Sequence, residues 1–326
     1  MADSLTSLYN VALNVTACTA IPLKLFTIII ILLNTPQNQR DHSHFILNTM
    51  IWNLIANSLY SFCHFYPVYP ASCYRLDGVA SQYIDSEFFG QFMFIAVFMC
   101  IINCATAMIL PFPFRLITFV YPKLALKIKP KWVYLLCGSI HILISVPYLG
   151  LLFLWLYNYS DYATIATLPD RKFLYCLRPY GWAKVICITL SIIVAFLGVL
   201  LIIVCTLMLF RSIRNSEGII HEHTLDVQRK LLWRLVTLTS VPLVFALIPF
   251  TFLMLAMWVP EEPYAKATFM IATIVLSNHG SLYAIMCLLL FKSNRKAVKF
   301  LLMNLFRRRI EDRTTKVMLA NANNCM

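Results

Sequence analysis

The sequence predicts an all-α membrane protein, a bundle of seven transmembrane helices with its N-terminus outside, on three observations. Its 326 residues are 60% hydrophobic and 13% charged, with a mean hydropathy of +0.74; a soluble domain of this length cannot hide so much apolar surface. The apolar residues gather into runs that approach or exceed the roughly 20 residues a helix needs to cross a bilayer. Lysine and arginine lie between the runs and favour alternate connections, as in polytopic proteins. The net charge of +13 therefore reads as membrane sidedness, and no nucleic-acid partner is expected.

In order, the spans are about 9–33, 45–69, 88–113, 132–157, 183–210, 231–258 and 265–291. The first follows a start, Met1 to Asn10, without the basic region of a cleavable signal peptide, so it is expected to stay in the mature protein. It contains Pro22 and Lys24, and Lys24 is expected to snorkel to the cytoplasmic interface. The second carries His64 beside Tyr60, Phe65 and Tyr66. The third opens on Phe88, Phe89, Gln91, Phe92, Phe94 and Phe98. Between the third and fourth lies a loop, 113–131, with Arg115, Lys123, Lys127, Lys129 and Lys131 and no acidic residue. The fourth holds His141 and Pro147, and the fifth begins beside Lys184. The sixth contains Pro242 and Pro249, which membrane helices tolerate as kinks, and the seventh contains His279. After it, 292–309 reads as a basic amphipathic helix on the inner leaflet, with Val298, Leu301 and Leu305 at helical spacing. No linker or repeat divides the chain, so 1–310 reads as one domain and 311–326 as a cytoplasmic tail.

With the N-terminus outside, twenty Lys and Arg fall on the inner segments and six on the outer ones. Asn158-Tyr159-Ser160, in the second outer loop, is a glycosylation sequon expected to be used; Asn14-Val15-Thr16 is a second sequon, expected to stay unmodified because it lies so close to the first span. Cys73 and Cys176 are the only cysteines placed well outside the membrane on that oxidising side. They are expected to form a disulfide, the alternative being two free thiols. The remaining cysteines are unpaired in CxxC terms and mostly intramembrane, so no metal or cofactor is expected. His42-Ser43-His44 and His221-Glu222-His223 read as solvated loop histidines. No HExxH, GxSxG or phosphate-binding glycine loop occurs, so no enzyme is expected.

Candidate ligand contacts are Tyr60, His64, Gln91, Phe92, Phe94 and Phe98, since small-molecule pockets are mostly apolar with a few polar anchors. The five basic residues of the 113–131 loop, with Arg211, Arg214, Arg229, Lys230 and Arg234, make the inner face strongly basic. Anionic inner-leaflet lipids are an expected partner for these charges, at about 1 kcal/mol per charge near the surface.

Two segments carry a family resemblance. Ser277-Asn278-His279-Gly280-Ser281, followed by Lys292 and Arg295, is similar to the S-x-H-G segment of nematode serpentine chemoreceptors, the group with classes called h, i, d and str. Thr224-Leu225-Asp226-Val227-Gln228-Arg229-Lys230, followed by Pro242 and Pro249, resembles their T-x-x-x-Q-(K/R) approach and paired prolines. The resemblance implies a G-protein-coupled receptor fold, a small environmental or pheromone-like ligand, a heterotrimeric G protein, and the plasma membrane of a sensory cilium. It makes Arg115, Lys123, Lys127, Lys129 and Lys131, with Arg211, Arg214, Arg229, Lys230 and Arg234, the candidate G-protein contacts. The chain departs from rhodopsin-like receptors, which usually end the third span with Asp-Arg-Tyr; here Pro113-Phe114-Arg115-Leu116 gives Arg115 no acidic neighbour. The Asn-Pro-x-x-Tyr motif is missing from the last span, and Cys73 lies earlier than the usual disulfide partner. A ligand-gated channel is the first rival, although such seven-span channels place the N-terminus inside. A solute carrier is the second, disfavoured by the lack of mid-membrane acids and paired repeats.

Overall fold

Backbone inside a bilayer has no water to bond, so it closes its hydrogen bonds within helices. The computed structural model of the chain describes residues 2–36, 40–83, 86–121, 130–158, 174–216, 222–301 and 303–304. Its helices are α1 Ala2–Asn34, α2 Arg40–Cys63, α3 Glu87–Ile109, α4 Pro111–Val120, α5 Pro130–Trp155, α6 Trp182–Asn215, α7 Glu222–Trp258 and α8 Ala265–Leu290. The third span is α3 and α4 together, Glu87–Val120. Pro111 removes one backbone donor at their junction, yet the Leu110 and Phe114 amides still bond four residues back, to Thr106 and Leu110. The basic connection therefore begins only after Val120, seven residues beyond the predicted end of the third span.

Among the described residues six spans are apolar and long enough to cross a membrane by composition alone. The seventh, α2, is too polar to qualify, and its amides explain why it is nonetheless a bundle helix. The Asn48 amide lies 3.0 Å from His141 Nε2 on α5, and His141 Nδ1 lies 2.6 Å from Asn103 Oδ1 on α3. Asn103 in turn donates to Ser145 Oγ on α5 at 2.9 Å. With Nε2 accepting from Asn48, Nδ1 carries the proton that reaches Asn103. This chain joins three helices that lipid gives no hydrophobic reason to associate; each such bond contributes about 0.6 kcal/mol on average.

Helix α2 stops at Cys63, so the predicted second span, 45–69, is shortened. Residues 65–76 form a hairpin instead, for a reason visible in the sequence. Pro67 and Pro70 deny the apolar run Phe65-Tyr66-Pro67-Val68-Tyr69-Pro70 a continuous helical ladder. Strands β1 Phe65–Pro67 and β2 Cys73–Leu76 pair with β4 Leu174–Leu177 and β3 Leu156–Tyr157 in the order β1-β2-β4-β3. All three pairings are antiparallel, with Cys73 directly opposite Cys176. Those two cysteines are joined by a disulfide.

Other helices outrun their predicted limits. Helix α6 continues to Asn215, and α7 begins at Glu222, so Thr224 to Lys230 form its first turns instead of a loop before it. Residues 292–301 and 303–304 are helical; the rest of the predicted surface helix, 302 and 305–309, and the tail lie outside the described residues. Lys24 corrects an expectation. It is fully buried rather than snorkelled, on the stripe Ala20, Lys24, Thr27, Ile31, every member of which is 2% exposed or less. Spacings of four, three and four put these residues on the face of α1 turned into the bundle, and from there Lys24 cannot reach the interface.

Candidate functional site

The hairpin end of the bundle is sealed by aromatic rings. Tyr74 on β2 stacks on Tyr175 on β4 (centroids 5.6 Å apart, planes at 22°) and on Phe94 of α3 (5.9 Å, 25°). Phe65 meets the edges of both Phe94 and Tyr175. The Tyr175 ring can lie against α3 only because residue 90 is glycine; a Cβ there would sit 2.7 Å from Tyr175 Cδ1. Phe65, Tyr74 and Tyr175 are 2%, 1% and 0% exposed. Burial drives the Tyr74 and Tyr175 phenols well above their usual range, so both rings stay neutral. The roof is pinned to α1 and α2 as well: Tyr9 Oη donates to the Phe65 carbonyl at 3.1 Å and lies 2.7 Å from Tyr60 Oη.

Beneath this roof lies a cavity of about 480 Å³, within the range of small-molecule sites. Its walls are mainly apolar, with Phe94, Phe98, Ile102, Phe250, Leu253 and Leu276 among them. Asn53, Asn57, Ser277 and His279 supply polar lining from α2 and α8. No Asp, Glu, Lys or Arg lines it among the described residues.

The α8 motif builds the polar part of the lining. The Asn57 amide donates to the Ser277 carbonyl at 2.9 Å, and Asn278 reaches Thr16 Oγ1 on α1 at 3.1 Å. His279 Nδ1 bonds the Leu276 carbonyl. Its Nε2 is thereby the acceptor for the Asn53 amide, 2.9 Å away. Gly280 makes room: a Cβ there would overlap the Asn53 amide group. Asn53 Oδ1 is buried without a hydrogen-bond partner among the described residues.

Of the six residues expected to contact ligand, Tyr60, Phe94 and Phe98 line the cavity. The other three lie elsewhere. His64 is the first residue beyond α2, with a positive φ of 41°, and its Nδ1 lies 3.1 Å from Asn10 Oδ1. Burial lowers its pKa below the usual imidazole value, against the pull of Asp77. The helical phase of α3 decides the other two: Phe94 and Phe98, four apart, face inward, whereas Phe92 is 54% exposed on the outer face. Gln91 sits on the inner face but above the cavity, where its amide donates to the Tyr157 carbonyl of β3 at 3.2 Å. Asn53 and Asn57 are lining residues that sequence reasoning did not select, and Ser277 and His279, selected only as motif residues, line the cavity too. Asparagines four apart in a membrane span were the available signal, because buried amides need partners.

At the opposite end, Arg115 on α4 donates through Nη2 to Gln228 Oε1 on α7 at 2.9 Å. The neutral amide of the T-x-x-x-Q segment thus stands where a carboxylate would complete an ion pair, tying the end of the third span to the sixth. Lys131, Arg211, Arg214, Arg229 and Lys230 are exposed there and Arg234 is half-buried; Lys230 pairs with Asp226 at 2.6 Å. Lys292 and Arg295 are exposed just beyond α8. Lys123, Lys127 and Lys129 lie outside the described residues. Asn158 is exposed directly after β3, and Asn14 is exposed within α1.

Residues 4–304 match the family model described as serpentine type 7TM GPCR chemoreceptor Srh. No curated protein matches the chain.

Proposed function

The chain belongs to the Srh family of serpentine seven-transmembrane G-protein-coupled chemoreceptors, and on that premise we propose that it detects a small uncharged organic molecule and signals to a heterotrimeric G protein. The observation that carries the ligand class is the cavity, about 480 Å³ in volume and lined by no charged residue among those described. An ion left there would lose its hydration without gaining a partner. Binding shifts a two-state equilibrium only through a difference in affinity between the states. The bond between Arg115 and Gln228 is the contact proposed to hold the resting state. Its release would free the ends of α4, α6 and α7, where Arg211, Arg214, Arg229, Lys230 and Arg234 meet the G protein with the 113–131 loop. The same basic residues, with Lys292 and Arg295, rest on anionic lipid.

The test is a second-messenger assay on cells expressing the full chain, challenged with neutral volatile alcohols, ketones and esters. At least one is expected to activate, and Phe98→Trp to lower its potency tenfold or more. Gln228→Ala should raise ligand-free signalling severalfold, and charge reversal at Lys123, Lys127 and Lys129 should weaken coupling without weakening binding. A ligand-evoked current that persists when G proteins are blocked would instead favour a channel.

The proposed location is the plasma membrane of a sensory cilium, with the hairpin end and N-terminus outside, in accord with the Lys and Arg distribution. Asn158, exposed after β3, is then expected to carry a glycan; Asn14, inside α1, is expected to carry none. Endoglycosidase treatment should lower the apparent mass of the wild type and leave Asn158→Gln unchanged. A wild type that is insensitive, with an N-terminal tag reachable only after permeabilisation, would reverse the orientation.

A further inference from the structure

The cavity has a closed roof and an open side. Its closure toward the hairpin follows from Phe65, Tyr74 and Tyr175, which are almost without exposed surface. At mid-membrane depth the lining changes character. Leu197 and Leu201, near the middle of α6, both line the cavity and are 56% and 43% exposed. Ala105 on α3 lines it and is exposed too, and Ile140 and Ile144 on α5 line it half-exposed. The same side of the bundle is thinly packed: 11% of the apolar stretch of α5 and 17% of that of α6 are buried, against 67% for the third span. A residue that both lines a cavity and is exposed at the middle of a span borders an opening onto hydrocarbon, because no water reaches that depth on the lipid face.

We infer that ligand reaches this cavity from the bilayer, through the gap between α5 and α6 with Ala105 behind it, and not from water through the roof. The inference rests on the reading of the cavity as the ligand site. It narrows the ligand to uncharged amphiphiles that dissolve in the membrane first: an alkyl or aryl body with one small polar group. The body matches the phenylalanine and leucine walls. The polar group matches the few polar residues of the lining, Asn57, Ser277 and His279 among them. A fatty alcohol of medium chain length has this chemistry. A permanently charged analogue lacks it, since crossing the hydrocarbon costs a charged group several kcal/mol.

The experiment uses the full chain in lipid nanodiscs and a medium-chain alcohol bearing a photoreactive diazirine. Its covalent insertion at Phe98, Ile102 and Phe250 is followed by mass spectrometry against time after mixing. Leu197→Trp with Leu201→Trp places two indoles in the gap without touching the buried core. Leu207→Trp, also on the exposed side of α6 at 62% exposure, is the control. The paired substitution is expected to slow at least tenfold both labelling and its loss after the alcohol is diluted away, since both pass the gap, whereas a mere loss of affinity would speed the loss. The control should load at the wild-type rate, and an analogue with a quaternary ammonium in place of the hydroxyl should not label the cavity. Equal loading rates in the paired variant and wild type would overturn the lateral route and leave the cavity as the binding site. Failure of the alcohol to label any of the three residues, with the protein shown to be folded, would overturn the cavity reading and the route together.

Discussion

Gly280→Val is expected to abolish surface expression of the receptor, and Gly280→Ala to reduce it and lower the melting temperature of the purified protein. The cause is steric and local. The Asn53 amide occupies the space a side chain at 280 would need. It is held there by the bond to His279 Nε2 at 2.9 Å, with its nitrogen 3.8 Å from Cys104 Sγ on α3. A methyl group at 280 must displace that amide or push α2 and α8 apart. Overpacking of this kind costs about 1–3 kcal/mol. The lost interhelical bond adds about 0.6 kcal/mol, against a total stability of order 5–15 kcal/mol. Removing the amide should relieve the clash. Asn53→Ala with Gly280→Ala is therefore expected to be more stable than Gly280→Ala alone, although Asn53→Ala on its own destabilises. Gly138→Ala and Gly150→Ala are the matched controls, because a Cβ at either position meets nothing within 4 Å. Equal melting temperatures for Gly280→Ala and Gly138→Ala would remove the argument.

The same junction shows what the sequence could and could not reveal. Runs of apolar residues located the spans, although α2 is too polar to qualify by composition alone, and the S-x-H-G segment carried the family resemblance without showing that it meets α2. What length cannot supply is rotational phase. Lys24 in an otherwise apolar helix reads equally well as a snorkelling cation or a buried one. The small and polar residues Ala20 and Thr27, on the same face of the helix, were the sign that this face packs inward, since membrane interfaces favour such residues. Phase also separates Phe92 from Phe94 and Phe98, two and six residues further along α3. The second span was overdrawn because Phe65 to Pro70 is as apolar as a membrane segment. Hydropathy cannot distinguish a strand buried under a lid from a helix buried in lipid, but two prolines three residues apart can. Gln91 failed for another reason: its partner, the Tyr157 carbonyl, lies 66 residues away on a strand that no local pattern announced.

Reduction of the Cys73–Cys176 disulfide, or Cys73→Ser, is expected to lower stability by about 2 kcal/mol, near the low end of the usual range for a lost native disulfide. The cysteines are 103 residues apart, and a loop of that length in a soluble chain would give close to 5 kcal/mol by chain entropy alone. That figure does not transfer to a membrane protein. Its denatured state keeps its spans inserted and finds other polar partners there, so α3 and α5, which lie between the two cysteines, do not become free chain. The freedom regained is that of the connections on either side of the sheet. The strands also retain support without the bond, from the β2–β4 pairing, the Tyr74–Tyr175 stack and the Gly90 contact. Cys73→Ser, Cys176→Ser and the double variant are therefore expected to share one melting temperature, because each removes the same constraint. Thermal denaturation with and without reductant measures it, with free-thiol mass spectrometry to show that the bond has opened. A loss near 5 kcal/mol would mean that the denatured receptor leaves the membrane-inserted state, and no loss would mean that the aromatic roof holds the sheet by itself. A loosened roof should leave the loading rate of a neutral alcohol unchanged, since that ligand enters between α5 and α6.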